Sequence, residues 1–309
     1  EIWLAARREQ GLSDQVWWRM KKVLYGRRKA AQYWTELLAS IMTEFKLERS
    51  LSAPHLFRTP ATPAQQIVMA THMDDIHGSG PRKQLESLVK FLETKLQIKF
   101  SHIIGDSEKH EKYEFLRRER VVCKGKCWVR PRQTHFKRMA EIMAVEQCKC
   151  PDTPVAAGDR GDLEVEGDLN LDAEKHGMYR TVVGILLHIV VDRGDLAYGI
   201  RLVSRKLGEP MESDWTRLKR LVKYAHGTRE DWQLVNPTKE SDNLKVHVDS
   251  DWAGDKITRK SCSCAVIHLD GVILAMFVRG QKIEALSSAE AEFYAAVMGI
   301  AEALHIQQL

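Results

Sequence analysis

Two adjacent carboxylates, Asp74 and Asp75, close a short apolar run (Ile67-Val68-Met69-Ala70-Thr71-His72-Met73) and are followed by Gly78-Ser79-Gly80. Neighbouring side chains of a strand point to opposite faces, so such a pair belongs at a tight turn. Two acids at one spot repel and call for a cation, most simply a divalent metal bound through oxygen. Mg²⁺ takes few protein carboxylates and completes its shell with substrate phosphates, so the pair suits phosphoryl transfer. A bare Asp-Asp is far more often a solvated hairpin turn. What decides between the two is the surrounding sequence.

The 309 residues suffice for two domains, and 44% hydrophobic with 29% charged residues describe a globular chain rather than a disordered one. No apolar stretch reaches the roughly 20 residues that span a bilayer; the longest, Val182 to Val191, is interrupted by His188. No signal peptide is read at the start, which is Glu1-Ile2-Trp3 without an initiator Met, so the chain is expected to be an internal piece of something larger. The charge is uneven. Residues 1–150 carry 28 Lys/Arg against 17 Asp/Glu, and residues 151–309 carry 19 against 25. A basic half fits a polyanion such as nucleic acid, or simply a solvated surface. The cysteines fall in the pairs Cys123/Cys127, Cys148/Cys150 and Cys262/Cys264. None has zinc-knuckle spacing, so free thiols are expected.

The elements that must position these groups follow from periodicity. Arg82 to Lys99 has Leu85, Leu88, Val89, Leu92 and Leu96 on one helical face, with Pro81 at its start. Residues 151–177 hold eight acidic and two basic residues and read as a solvated connector. Met178 to Val191 predicts a buried helix, and Ser213 to His226 another, stopped by Gly227. Residues 229–243 are polar with Pro237 and read as a second linker. Leu244, Val246 and Val248 alternate with Lys245, His247 and Asp249, a half-buried strand. Asp270-Gly271 between Cys264–Leu269 and Val272–Phe277 signals a hairpin, and Ile283 to Leu286 suggests a third strand. Ser287 with Glu290 makes a capping box for a helix over Ala289–Gln307.

Taken in order, several segments resemble the reverse transcriptase–RNase H region of Pol from copia-type LTR retrotransposons. EIWL (1–4) resembles that family's E-I-Y-M, and LYGRRKAAQYW (24–34) resembles L-Y-G-L-K-Q-A-P-R-x-W. HMDD (72–75) resembles Y-V-D-D, YEFLRRE (113–119) resembles Y-F-L-G-x-E, and CKCPDTPV (148–155) resembles C-K-P-V-x-T-P. The stretches 179–205 and 219–228 resemble the family's Y-R-x-x-V-G and K-R-x-L-R-Y-L-x-G-T segments. DSDWAGDKITRKS (249–261) and ALSSAEAEFYAA (285–296) resemble S-D-A-D-W-A-G-D-x-x-x-R-K-S and A-L-S-S-T-E-A-E-Y-x-A.

The resemblance implies an α/β chain. A right-hand polymerase palm and thumb-like region would occupy 1–150, the acidic connector 151–177, a helical connection region 178–243, and a partial RNase H-like domain 244–309. It implies two-metal phosphoryl transfer with Mg²⁺ or Mn²⁺, on an RNA/DNA template-primer with deoxynucleoside triphosphates. Asp74 and Asp75 would be the palm ligands, and Asp249 and Glu292 the RNase H ligands, Glu290 being spent on the capping box. Lys21, Lys22, Arg27, Arg28 and Lys29 are the candidate nucleic-acid contacts. Partners would be the nucleic acid and the remainder of the Pol polyprotein, in an intracellular setting, cytoplasmic particle or nucleus, with no membrane.

The departures matter too. The family's first polymerase Asp lies upstream of the E-I-Y-M segment, and its third RNase H carboxylate downstream of the stretch matched by 302–309. Each metal site is therefore expected to be incomplete in this chain. Lys29, Ala31, His72, Arg117 and Gly194 stand where the family has Gln, Pro, Tyr, Gly and Pro. A catalytically dead nucleic-acid-binding relic or domesticated module is the alternative reading.

Overall fold

The computed structural model describes the chain except for residues 1–7, 12–20, 22–23, 25, 61, 63–64, 102, 106–107, 160–166, 237–242 and 309. It divides into two units, residues 1–101 and 102–309. The architecture is mixed α/β, with three antiparallel sheets and seven α-helices among the described elements.

In the first unit, helix α1 (Ala30–Glu44) precedes strands β1 (Glu48–Arg49), β2 (Leu56–Arg58), β3 (Val68–His72) and β4 (Asp75–Ser79), and helix α2 (Arg82–Lys95) follows. The strands pair antiparallel in chain order. Both helices carry one apolar stripe. Leu38, Ile41 and Met42 of α1 and Leu88 and Leu92 of α2 bury against Phe57, Ile67 and Met69 of the sheet side. Truncating a fully buried member such as Met42 to Ala costs ~2–5 kcal/mol in cores of this kind. Helix α2 stops at Lys95 rather than Lys99, because Leu96 is extended (φ −132°, ψ 148°). From this extended segment Leu96 and Ile98 pack, partly buried, against the core.

The second unit opens with β5 (Glu111–Phe115), β6 (Arg118–Cys123) and β7 (Lys126–Pro131), joined by two-residue turns and completed by β8 (Gln233–Leu234). Helices α3 (Gln133–Met143), α4 (Ala173–Ile189), α5 (Ala197–Ser204) and α6 (Glu212–Gly227) enclose a core that includes Phe136, Met139, Tyr179, Leu186, Leu218 and Val222. Helix α4 starts five residues before Met178, since the Asp172 side chain accepts from the Lys175 N–H at 2.8 Å and caps it. The acidic stretch is also pinned elsewhere, with Asp159 accepting from Arg217 Nε at 3.0 Å.

The chain then forms β9 (Leu244–Asp251), β10 (Cys262–Leu269), β11 (Val272–Gly280) and helix α7 (Ser288–Gln307). The sheet order is β11-β10-β9, so β9 is an edge strand. Asp270-Gly271 makes the β10–β11 turn, both residues at positive φ. The strand expected over Ile283 to Leu286 does not form. Its backbone groups are taken by side chains instead, Trp252 Nε1 donating to the Ala285 carbonyl at 3.0 Å and the Leu286 N–H donating to Glu290 at 2.7 Å. No described helix is long and apolar enough to cross a membrane.

Candidate functional site

The Asp pair lies on a two-residue hairpin. His72 and Asp75 are the closing Cα partners, which leaves Met73 and Asp74 as the turn and Asp75 as the first residue of β4. Met73 takes φ +54°, a left-handed conformation that costs a non-glycine residue roughly 1–2 kcal/mol. A cross-link holds the turn. Trp34, in the second turn of α1, donates its indole N–H to the Met73 carbonyl at 2.6 Å. Both carboxylates are exposed, and among the described residues no third acid, His or Cys joins them in a group able to hold a metal.

The basic candidates Lys21, Arg27, Arg28 and Lys29 are all exposed, whereas Lys22 lies outside the described residues. Lys29 is the N-cap residue of α1, and no acidic residue occupies that helix's first turn. Cations at a helix N-terminus oppose the helix dipole, so this cluster does not serve the stability of α1. Lys29 precedes Trp34 by five residues, or about 7.5 Å along the helix. The Trp34–Met73 bond therefore places the cluster on the same helix end as the Asp hairpin.

The second pair is arranged differently. A Cβ at Gly299 of α7 would stand 2.5 Å from Val248 and 3.2 Å from Val246, so those two residues face the helix. Asp249 alternates with them, is exposed, and pairs across the ladder with Cys264. Its side chain thus leaves the sheet on the face away from α7. Glu292 reaches the same strand end, its Oε1 accepting from the Ser250 N–H at 3.2 Å. The structure brings Glu292 to the residue beside Asp249, with the pleat turning Asp249 outward.

The other carboxylates nearby have structural tasks. Asp251 accepts from the Cys262 N–H, and a Cβ at Gly254 would fall 2.0 Å from its Oδ2, so a larger residue there would displace the Asp251 carboxylate. Asp255 accepts from the N–H groups of Ile257 and Thr258 and pairs with Arg205. Burial works against its charge, but those N–H groups and Arg205 together hold its carboxyl below the ordinary range. Glu290 accepts from the Tyr294 hydroxyl at 3.0 Å as well as from Leu286. Among the described residues Asp249 is the acid at this strand end without such a framework role, while Glu292 holds the Ser250 N–H. Burial and the Asp249 charge push the Cys264 thiol up, and burial pushes Cys262 up to about 11, so neither is a ready thiolate.

The Trp34–Met73 link was not legible in the sequence. A Trp one helix away from a turn looks like a core residue until the indole N–H is traced to its acceptor.

Comparison with known proteins adds context. The chain is 26% identical over 285 residues to the retrovirus-related Pol polyprotein from transposon TNT 1-94 of Nicotiana tabacum, covering 90% of this chain and 21% of that protein. It is 25% identical over 283 residues to the retrovirus-related Pol polyprotein from transposon RE2 of Arabidopsis thaliana, covering 89% and 18%. A shorter relative, Secreted RxLR effector protein 161 of Plasmopara viticola, is 32% identical over 122 residues, 39% of this chain and 85% of that protein. The chain thus spans about a fifth of the length of these transposon polyproteins. No protein-family model and no solved structure matches it.

Proposed function

We propose, from its similarity to the retrovirus-related Pol polyproteins of transposons, that the chain contributes the palm and RNase H-like parts of an RNA-directed DNA polymerase. The substrate is an RNA/DNA template-primer with deoxynucleoside triphosphates. Asp74 and Asp75 are assigned as the palm carboxylates, with Asp249 and Glu292 as those of the RNase H-like part. Lys21, Lys22, Arg27, Arg28 and Lys29 are assigned to the phosphate backbone. The supporting observation is the exposed Asp pair on a turn tied by Trp34 to the helix that presents the basic cluster.

Mg²⁺ or Mn²⁺ is the cofactor this reading implies. Asp74 and Asp75 offer oxygen ligands of the kind these ions take. Two-metal chemistry needs a cage shared between two ions, and the described residues gather no group of three ligands. The residues described do not fit a complete two-metal centre. What the chain's own residues do is hold the carboxylates at a fixed turn and gather positive charge near it.

A second reading, a non-catalytic nucleic-acid-binding module, draws support from Arg117, which holds φ +59° where the resembled motif has glycine. The two readings separate in one set of assays. Template-primer binding is measured over a salt series for the chain and for a variant carrying Arg27→Gln, Arg28→Gln and Lys29→Gln, with primer extension and hybrid cleavage alongside. Three phosphate contacts make the log–log salt slope shallower by about 2.7 when removed. Extension abolished by Asp74→Ala supports the first reading. Salt-dependent binding without either activity supports the second. No binding at low salt contradicts both.

A further inference from the structure

Strand β9 has an unused side. Its ladder runs to β10, and among the described residues no strand pairs with its other edge. We infer that this edge joins the same edge of a second copy of the chain, antiparallel about a two-fold axis through His247, so that one sheet continues across both copies. This goes beyond the polymerase reading, because it requires neither a metal nor a nucleic acid.

The backbone sets which residues can pair. In an antiparallel ladder alternate residues turn both backbone groups to the same neighbour. The Gln281 N–H donates to the Ser261 carbonyl at 2.8 Å, beside the Cys262–Gly280 pair. Odd-numbered residues at this end of β10 therefore turn to β11, and even-numbered ones, Cys264 among them, turn to β9. Asp249, the ladder partner of Cys264, turns back to β10. Val246 and Val248 then turn their backbone groups outward. Ser250 belongs to the same outward set, and its N–H is taken by Glu292 at 3.2 Å rather than by a strand. Centring on His247 sets Val246 opposite the partner's Val248, each such pair exchanging both N–H···O bonds.

Charge selects the second copy as the occupant. Lys245, His247 and Asp249 are exposed, and neither Lys245 nor Asp249 forms an ion pair among the described residues. Charged side chains commonly blunt such edges. Here the two are of opposite sign and stand symmetrically about His247. The antiparallel register sets Lys245 opposite the partner's Asp249 and Asp249 opposite the partner's Lys245, in close non-hydrogen-bonded pairs. Parallel pairing in register would set like against like. A shift by two residues would set Lys245 against the partner's His247 or the partner's Asp251, and Asp251 already accepts from the Cys262 N–H. Helix α7 agrees with the same axis. A Cβ at Gly299 would meet Val248, Val246 and Ala265, so α7 lies over the line between β9 and β10. Two such helices would run about 10 Å apart across the joined edges, a packing distance for helices. Glu292 marks the side of α7 toward the open edge. Ala296 shares that side, and Phe293 and Ile300, 65% and 54% exposed, border it.

The test is sedimentation velocity of the 309-residue chain over a concentration series. The buffer is free of divalent metal, because an ion held at Asp249 would compete with the partner's Lys245. The expected result is a reversible monomer–dimer equilibrium. Lys245→Asp or Asp249→Lys alone should weaken it at least tenfold, and the variant carrying both should recover to within about threefold of the wild type. Register is read by cross-linking. His247→Cys sets two thiols across the axis with Cα atoms about 4.5 Å apart, within disulfide reach. Mild oxidation should join it into a covalent dimer at least tenfold faster than Lys245→Cys, whose thiol would face the partner's Asp249. A wild-type chain that stays monomeric at several hundred micromolar overturns the proposal. So does a dimer that the single charge reversals leave unchanged, one that the double variant fails to restore, or one in which the two cysteine variants cross-link at equal rates.

Discussion

The indole N–H of Trp34 and the carbonyl of Met73 are joined at 2.6 Å across 39 residues, and this bond sets the turn that carries Asp74. Met73 is held at φ +54°, a conformation that something else must stabilise. Trp34→Phe keeps a ring in place and removes the donor. The expected outcome is a loss of about 1–2 kcal/mol in unfolding free energy, as for a lost hydrogen bond that leaves its partner exposed to strain. Amide exchange at Asp74 and Asp75 should also accelerate. Unchanged stability with unchanged exchange would show that the turn holds itself.

A second strained turn offers a gain rather than a loss. Leu116 and Arg117 connect β5 to β6 with φ of +52° and +59°, the geometry that favours Asn-Gly. Arg117→Gly removes the clash of a Cβ with the backbone and should stabilise the second unit by about 1 kcal/mol. Chemical denaturation checks this. A destabilisation would mean that the Arg117 side chain makes contacts worth more than the strain.

Much of this was legible in advance, for identifiable reasons. The hairpins at Asp74 and at Asp270-Gly271 show because turn chemistry is local. Helix α7 shows because Ser287 and Glu290 form its cap within four residues, with the Glu290 N–H donating to Ser287 Oγ at 3.1 Å. Helix ends were less legible. Asp172 extends α4 and Leu96 shortens α2 through contacts that periodicity does not encode. Ile283 to Leu286 read as a strand because alternation ignores side chains, and Trp252 and Glu290 take its backbone groups. At the candidate sites the sequence supplied the carboxylates. It could not supply the pleat that turns Asp249 outward or the Trp34 clamp, which depend on partners 15 to 39 residues away or on sheet register.

His135 predicts a pH dependence. Its ring stands 5.1 Å from that of His188, and its Nε2 is buried with no hydrogen-bond partner among the described residues. Burial first, then the charges of His188, Arg132, Arg117 and Arg138, push its pKa below 6.5. The folded chain therefore binds this proton less readily than the unfolded one. Stability is fully present above pH 6.5 and declines as pH falls below it toward the lower folded value. His135→Gln should lessen the drop in melting temperature between pH 7.5 and 5.5. An undiminished drop would place the acid sensitivity at other groups.

We propose that the Trp34-braced hairpin is a cation site of a polymerase palm. Titrating Mn²⁺ into the ¹⁵N-labelled chain tests it most directly, because a bound paramagnetic ion broadens only its neighbours. The account predicts selective, saturable broadening of Met73, Asp74, Asp75 and Ile76, lost in Asp74→Asn and in Asp75→Asn and competed by Mg²⁺. Two carboxylates without a third ligand should bind the ion loosely, so saturation is expected at millimolar metal. Uniform or absent broadening at the hairpin, or broadening that survives both substitutions, would contradict the claim.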